Sequence, residues 1–182
     1  VYAGSIRKAN DLGMLLNAAK IIQERGKNEI RFLIYGSGDE RESLIERCRN
    51  EGIHNVTFKG RVEKKFVPSI LKRSYINVMH VMSASILERY GQSPNKFFEY
   101  LAAGKCIVQT YSTNFSIYDE YDCGICAPVQ KPEDIAEAII TACSDEQRHR
   151  ILGENARKTA WHFDFSRLTE RLINVIESLD DQ

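Results

Sequence analysis

Short apolar or β-branched runs alternate along this chain with longer stretches in which apolar residues recur at helical spacing. That alternation predicts a parallel sheet with helices on both faces. Strands are expected at Val1 to Ile6, Ile30 to Tyr35, Val56 to Phe58, Tyr75 to His80, Ile107 to Thr110 and Gly124 to Cys126, each short enough for a buried parallel strand. Between them, Leu12, Leu15, Leu16, Ala19 and Ile22 share one helical face, as do Leu44, Ile45 and Cys48. Ser37 with Glu40 and Ser144 with Gln147 have capping-box spacing, and Pro94 and Pro132 suit the first turn of a helix. From Pro132 onward the pattern is almost wholly helical, with Ile135, Ala138 and Ile139 followed by Leu168, Leu172 and Ile176. With no repeat and no linker rich in Gly, Pro or Ser, the pattern predicts one α/β domain over residues 1–182. It is a doubly wound parallel sheet of about six strands with a C-terminal helical tail.

Composition narrows the function classes. The 25 Lys and Arg balance 25 Asp and Glu, so the broad positive field that non-specific nucleic-acid binding needs is absent. No run of 18 apolar residues occurs, so no helix-length span of a bilayer is expected. Five cysteines, no signal peptide and a first residue Val1 read as an excised piece of a cytoplasmic protein. Cys123 and Cys126 have C-x-x-C spacing, but the segment reads as a turn entering a strand and no second pair completes a zinc site, so a structural role is expected. Trp161, Phe163 and Phe165 are expected to anchor the last helix, unless that helix packs on a part of the protein outside this chain, which an exposed aromatic patch there would fit. The four histidines are scattered among different elements and read as core or surface residues.

In a doubly wound sheet, ligands sit beyond the carboxyl ends of the strands. Four loops qualify. Gly4 and Ser5 lead to the adjacent cations Arg7 and Lys8 just before a helix, a pattern that suits either an anion or a solvated turn. Gly36-Ser37-Gly38 begins like a dinucleotide fingerprint but has Arg41 where the third glycine belongs, so a tight turn into a helix is the favoured role. Gly60-Arg61-Val62 could let a planar base lie against the main chain, and is equally compatible with an ordinary turn. In the fourth loop Ser93 is a good cap and Pro94 a good first helical residue. The amides of Asn95 and Lys96 would then point out of a positively polarised helix end, with Glu99 one turn further on where a carboxylate could meet a ribose diol; an ordinary helix with Phe97, Phe98 and Leu101 inward and polar groups outward fits the residues slightly better.

This order of loops, with Phe58-Lys59-Gly60-Arg61-Val62 and the run from Tyr90-Gly91-Gln92-Ser93-Pro94-Asn95-Lys96 to Glu99-Tyr100-Leu101-Ala102-Ala103-Gly104-Lys105, resembles the C-terminal half of family 4 glycosyltransferases. The likeness is strongest to the bacterial branch that builds O-antigen and capsular polysaccharides. It implies a GT-B architecture of two Rossmann-like halves. The acceptor-binding N-terminal half would be absent here, and this donor half would bind a nucleotide diphosphate sugar, UDP-linked by expectation.

The implied reaction is retaining transfer to a glycan or lipid-linked acceptor, with full-length protein associated with the cytosolic face of the inner membrane. The fragment alone would be inactive. No Asp-x-Asp motif occurs, which suits stabilisation of the leaving group by amides and cations, with no metal and no cofactor beyond the sugar nucleotide. One well-placed donor of this kind is worth about 3 kcal/mol of barrier.

Glu99 matches the second Glu of the family's Glu-x7-Glu motif, while the first falls on Gly91. The family's phosphate-binding Arg and Lys fall on Ser5 and Asn10, which leaves Arg7 and Lys8 as substitutes beside Lys96 for the catalytic cations. Glu88 is a candidate for the missing sugar contact, although a loop-exposed Glu without a role is the simpler reading. Two other readings stay open: a non-catalytic Rossmann-like nucleotide-binding or interaction module, and a GT-B epimerase or phosphorylase.

Overall fold

The computed structural model describes residues 1–82, 89–90, 95–111, 113–114, 116–127 and 129–180. Among these, six strands form: β1 (Tyr2–Ala3), β2 (Phe32–Tyr35), β3 (Val56–Gly60), β4 (Ile76–Met79), β5 (Cys106–Gln109) and β6 (Gly124–Cys126). The helices are α1 (Leu12–Glu24), α2 (Arg41–Asn50), α3 (Val67–Arg73), α4 (Asn95–Ala103), α5 (Ile117–Glu120), α6 (Pro132–Ser144), α7 (Glu146–Ala160) and α8 (Phe165–Asp180). Short 3-10 turns lie at Lys8–Asn10, Lys64–Phe66 and Trp161–Phe163.

All strand pairs are parallel, in two ladders ordered β1-β2-β3 and β4-β5-β6. The ladders meet at Val1, whose nitrogen donates to the Ile76 carbonyl (2.6 Å) and whose carbonyl accepts from the Val78 amide (2.7 Å). The strands therefore succeed one another as β3-β2-β1-β4-β5-β6, and the winding direction reverses at the β1/β4 seam. Such a switch point opens a crevice at the carboxyl ends of the strands.

Alternation along the strands feeds two cores. Cys106 and Val108 of β5 join the cluster that holds Leu15, Leu16 and Ile22 of α1 and Ile135 and Ile139 of α6. Ile107 points the other way, into the cluster with Leu71 of α3 and Phe97 and Leu101 of α4. Both faces are covered, as the hydrophobic pattern predicts for a doubly wound sheet.

Several local expectations need correction. The first strand is shorter than Val1 to Ile6, because the chain leaves the ladder after Ala3; even so, the Gly4 and Ile6 amides still reach the carbonyls of Tyr35 (3.0 Å) and Ser37 (2.9 Å). Ser37 does not cap α2, which starts at Arg41 with no side-chain cap. Asp145, not Ser144, caps α7 by accepting from the Arg148 amide (2.8 Å). Ser144 is still inside α6, where its hydroxyl bonds the Ile140 carbonyl one turn back (2.7 Å). Pro132 does open α6, and Pro94 lies outside the described residues. Helices α3 and α5 are 7 and 4 residues long, too short to show a period.

Of the three aromatic residues expected to anchor the tail, only Phe163 does so, packing against Phe98 (5.5 Å), Phe97 (6.0 Å) and Tyr121 (6.4 Å). Trp161 and Phe165 are 63% and 86% exposed. Leu168, Leu172 and Ile176 of α8 are exposed too. No helix among the described residues is long and apolar enough to cross a membrane. All five cysteines are free, and burial pushes the Cys123 and Cys126 thiols up to about 12, which favours the protonated form.

Candidate functional site

A cleft of about 1060 Å³ opens at the β1/β4 switch point. The segments after β1, β2 and β3 form three of its walls, and the first turn of α4 forms the fourth. Its size suits a ligand larger than a single sugar.

From the first loop, Gly4, Ser5 and Arg7 line the cleft, together with Asn10. Lys8 does not: it is exposed on the 3-10 turn, outside the cleft wall. Gly36 lines the cleft, whereas Gly38 does not. Both glycines are there for close backbone approach. A Cβ on Gly36 would sit 1.8 Å from the Gly4 carbonyl oxygen, and one on Gly38 would sit 1.9 Å from that of Ile6. Gly60 is likewise outside the lining; it adopts φ +77°, and its carbonyl accepts from the Gly36 amide (2.9 Å), tying the second and third walls together. Arg61 and Val62 line the third wall, and Asn95, Lys96 and Glu99 the fourth. Glu88, Gly91 and Ser93 lie outside the described residues.

Lys96 is the most constrained cation of the site. Its ammonium donates to the His80 carbonyl (3.1 Å) and lies over the Tyr2 ring (5.0 Å). Burial lowers its pKa from 10.5 to about 8, so it is poised to gain from a nearby anion. Glu99 is half-buried, with the Lys64 ammonium 3.9 Å from one carboxylate oxygen. Arg7 and Arg61 carry no ion pair among the described residues, so their charges remain available to a ligand.

The sequence reading missed Lys64 and Glu63, and the ties that Asn10 and His80 make. Lys64 and Glu63, just past Arg61-Val62, extend the third wall. The Asn10 side chain donates to the Ser5 carbonyl (3.0 Å) and hydroxyl (2.8 Å), so the two polar residues are joined into one neutral rim. His80, at the end of β4, is fully buried. Its Nε2 donates to the Asp11 carbonyl (2.9 Å), which leaves Nδ1 to accept from the Thr110 hydroxyl (2.5 Å). Burial lowers its pKa to about 4, so the ring is neutral. Only position at a strand end marks His80 in the sequence; its carbonyl's contact with Lys96 is purely tertiary.

The cleft at the switch point thus brings Arg7 of the first loop together with Lys96 and Glu99 of α4, an arrangement of cations and a carboxylate that can meet both an anion and hydroxyl groups. A family model described as glycosyl transferases group 1 matches residues 1–159. The chain belongs to this family. MJ1607, an uncharacterized glycosyltransferase of Methanocaldococcus jannaschii, is 25% identical over 178 residues, which is 96% of this chain and 43% of MJ1607. The crystal structure of Anabaena Alr3699/HepE in complex with UDP is similar at a TM-score of 0.75 and 14% identity, over 97% of this chain and 48% of that one. WaaG, a glycosyltransferase involved in lipopolysaccharide biosynthesis, is similar at a TM-score of 0.68 and 18% identity, over 96% of this chain and 45% of WaaG. The chain thus spans less than half the length of each of the three.

Proposed function

We propose that the chain is the donor-binding half of a retaining, metal-independent glycosyltransferase that takes a UDP-sugar. The observation that carries this reading is the convergence of Lys96, Glu99 and Arg7 on one cleft at the switch point of the sheet. The UDP complex of the similar Anabaena structure supports the choice of nucleotide.

In this reading the diphosphate lies against the Gly4 loop and the first turn of α4, and Glu99 accepts hydrogen bonds from the ribose hydroxyls. The base lies along Arg61 and Val62. As the bond between the sugar carbon and the phosphate oxygen breaks, negative charge grows on the departing diphosphate. Lys96, already fixed by Tyr2 and the His80 carbonyl, stabilises that charge without reorganising. No cofactor beyond the sugar nucleotide takes part.

The sugar would pass to a glycan or lipid-linked acceptor held by an N-terminal half, in an enzyme of family 4 making a bacterial surface polysaccharide at the cytosolic face of the inner membrane. WaaG's role in lipopolysaccharide biosynthesis is consistent with that setting. The exposed apolar stripe of α8 and the exposed Trp161 fit a surface covered by the N-terminal half. Calorimetric titration with UDP and UDP-sugars tests the donor site: binding is expected, and a folded domain that binds none of them at millimolar concentration refutes it.

A second reading, a non-catalytic nucleotide-binding module, is favoured by the neutral Ser5–Asn10 pair at the two positions where the resemblance expects phosphate-binding cations. Replacing Lys96 and Glu99 by Ala in the full-length protein separates the two, since only the enzyme loses sugar transfer. Assay of the same protein for transfer against epimerisation or phosphorolysis disposes of the GT-B epimerase or phosphorylase reading.

A further inference from the structure

Among the described residues, the β1/β4 seam closes through backbone bonds only at Val1. Two residues on, Ala3 has the same orientation in the strand, so its amide and carbonyl face the same gap. Neither is left to water. The Tyr100 hydroxyl accepts from the Ala3 amide (2.9 Å) and donates to the Ala3 carbonyl (3.3 Å). A single phenol from α4 thus takes the place of a neighbouring strand at the point where the sheet opens into the cleft.

Tyr100 is fully buried, and burial raises its pKa, so it stays a neutral hydroxyl able to donate and accept at once. It directly follows Glu99 and lies one turn beyond Lys96 on α4. Ala3 directly precedes Gly4, Ser5 and the loop bearing Arg7. Tyr2 adds a second stitch from the other side: its hydroxyl donates to the Ser5 carbonyl (3.0 Å) and its ring lies beneath the Lys96 ammonium (5.0 Å).

Resting on the donor-site reading above, we infer that Tyr100 is a positioning residue: its hydroxyl fixes the register between the helix that carries Lys96 and Glu99 and the loop that carries Ser5 and Arg7. The span between these two walls decides whether one diphosphate reaches both. The groups that would touch the nucleotide are on either side of the bond, and Tyr100 itself touches none of it.

The test is a double-mutant cycle on UDP affinity in the full-length protein, with Tyr100→Phe, Lys96→Ala and the double variant. Tyr100→Phe is expected to weaken UDP about tenfold, and the double variant to be little weaker than Lys96→Ala alone, since Lys96 can no longer share the ligand with the loop. A general loss of stability would not produce that coupling. Tyr100→Phe binding like the wild type, or losses that simply multiply, overturns the inference while leaving the donor site standing. A wild type that binds no UDP, or a Lys96→Ala variant that binds it normally, overturns the donor-site reading as well. Should Tyr100→Phe fail to fold, amide exchange in the wild type decides: UDP is expected to slow exchange of the Ala3 amide about tenfold more than that of Ile34, and equal protection of the two overturns the inference.

Discussion

Lys96 makes the donor-site reading quantitative through pH. Its ammonium is held partly out of water, and the drop in pKa from 10.5 to about 8 corresponds to at most about 3 kcal/mol against the charged form. An anion bound beside it reverses that penalty, so binding draws a proton onto the lysine wherever the free protein has lost it. With a pKa of about 8, the free lysine is about nine-tenths charged at pH 7 and about one-tenth charged at pH 9. If the bound complex keeps it charged throughout, affinity for UDP falls about tenfold between these two values. Ionisation of the nucleotide itself also acts in this range, so the quantity to measure is the ratio of wild-type to Lys96→Met affinity at each pH, in which that contribution cancels. Calorimetry at constant ionic strength should show the ratio falling about tenfold from pH 7 to pH 9. A ratio that stays flat, or a Lys96→Met variant that binds as tightly as wild type at pH 7, refutes the placement of Lys96 against the diphosphate.

Glu99→Gln should weaken UDP by about 1–2 kcal/mol yet leave binding of its 2′,3′-dideoxy analogue almost unchanged, because the carboxylate accepts from the ribose hydroxyls; equal losses for both ligands by calorimetry would place Glu99 elsewhere. Gly38→Ala should cost about 2 kcal/mol or more in urea denaturation, since the added methyl would meet the Ile6 carbonyl at 1.9 Å. His80 is held neutral by burial, with a pKa lowered from 6.5 to about 4. The unfolded chain therefore takes up a proton first, and the stability present above pH 6.5 is lost as pH falls toward 4. Thermal midpoints measured from pH 7 to pH 5 should fall more steeply for the wild type than for His80→Asn.

The sequence by itself determined the layered architecture. Strands buried on both faces must be short apolar runs, and the helices that cover them must repeat apolar residues at helical spacing, so six strands and the main helices were legible from Val1 to the tail. It also singled out Lys96, Glu99 and Arg7, which the structure brings to one cleft, because the loops and helix starts at strand ends are where such a sheet opens a crevice. Helix starts were less legible: Ser37 and Ser144 have the right spacing, but Asp145 won one cap and α2 does without, since a cap is decided by which backbone groups are left unpaired after folding. What only the tertiary structure decided is which of the loop residues meet. Lys8 and Arg7 are neighbours in sequence, yet one faces the cleft and the other solvent. Tyr100 lies 97 positions from Ala3, and His80 lies 69 from Asp11. Bonds of that kind leave no local period or motif, because the partners are brought together by packing of the sheet and its helices, and only their distance in space makes them a site.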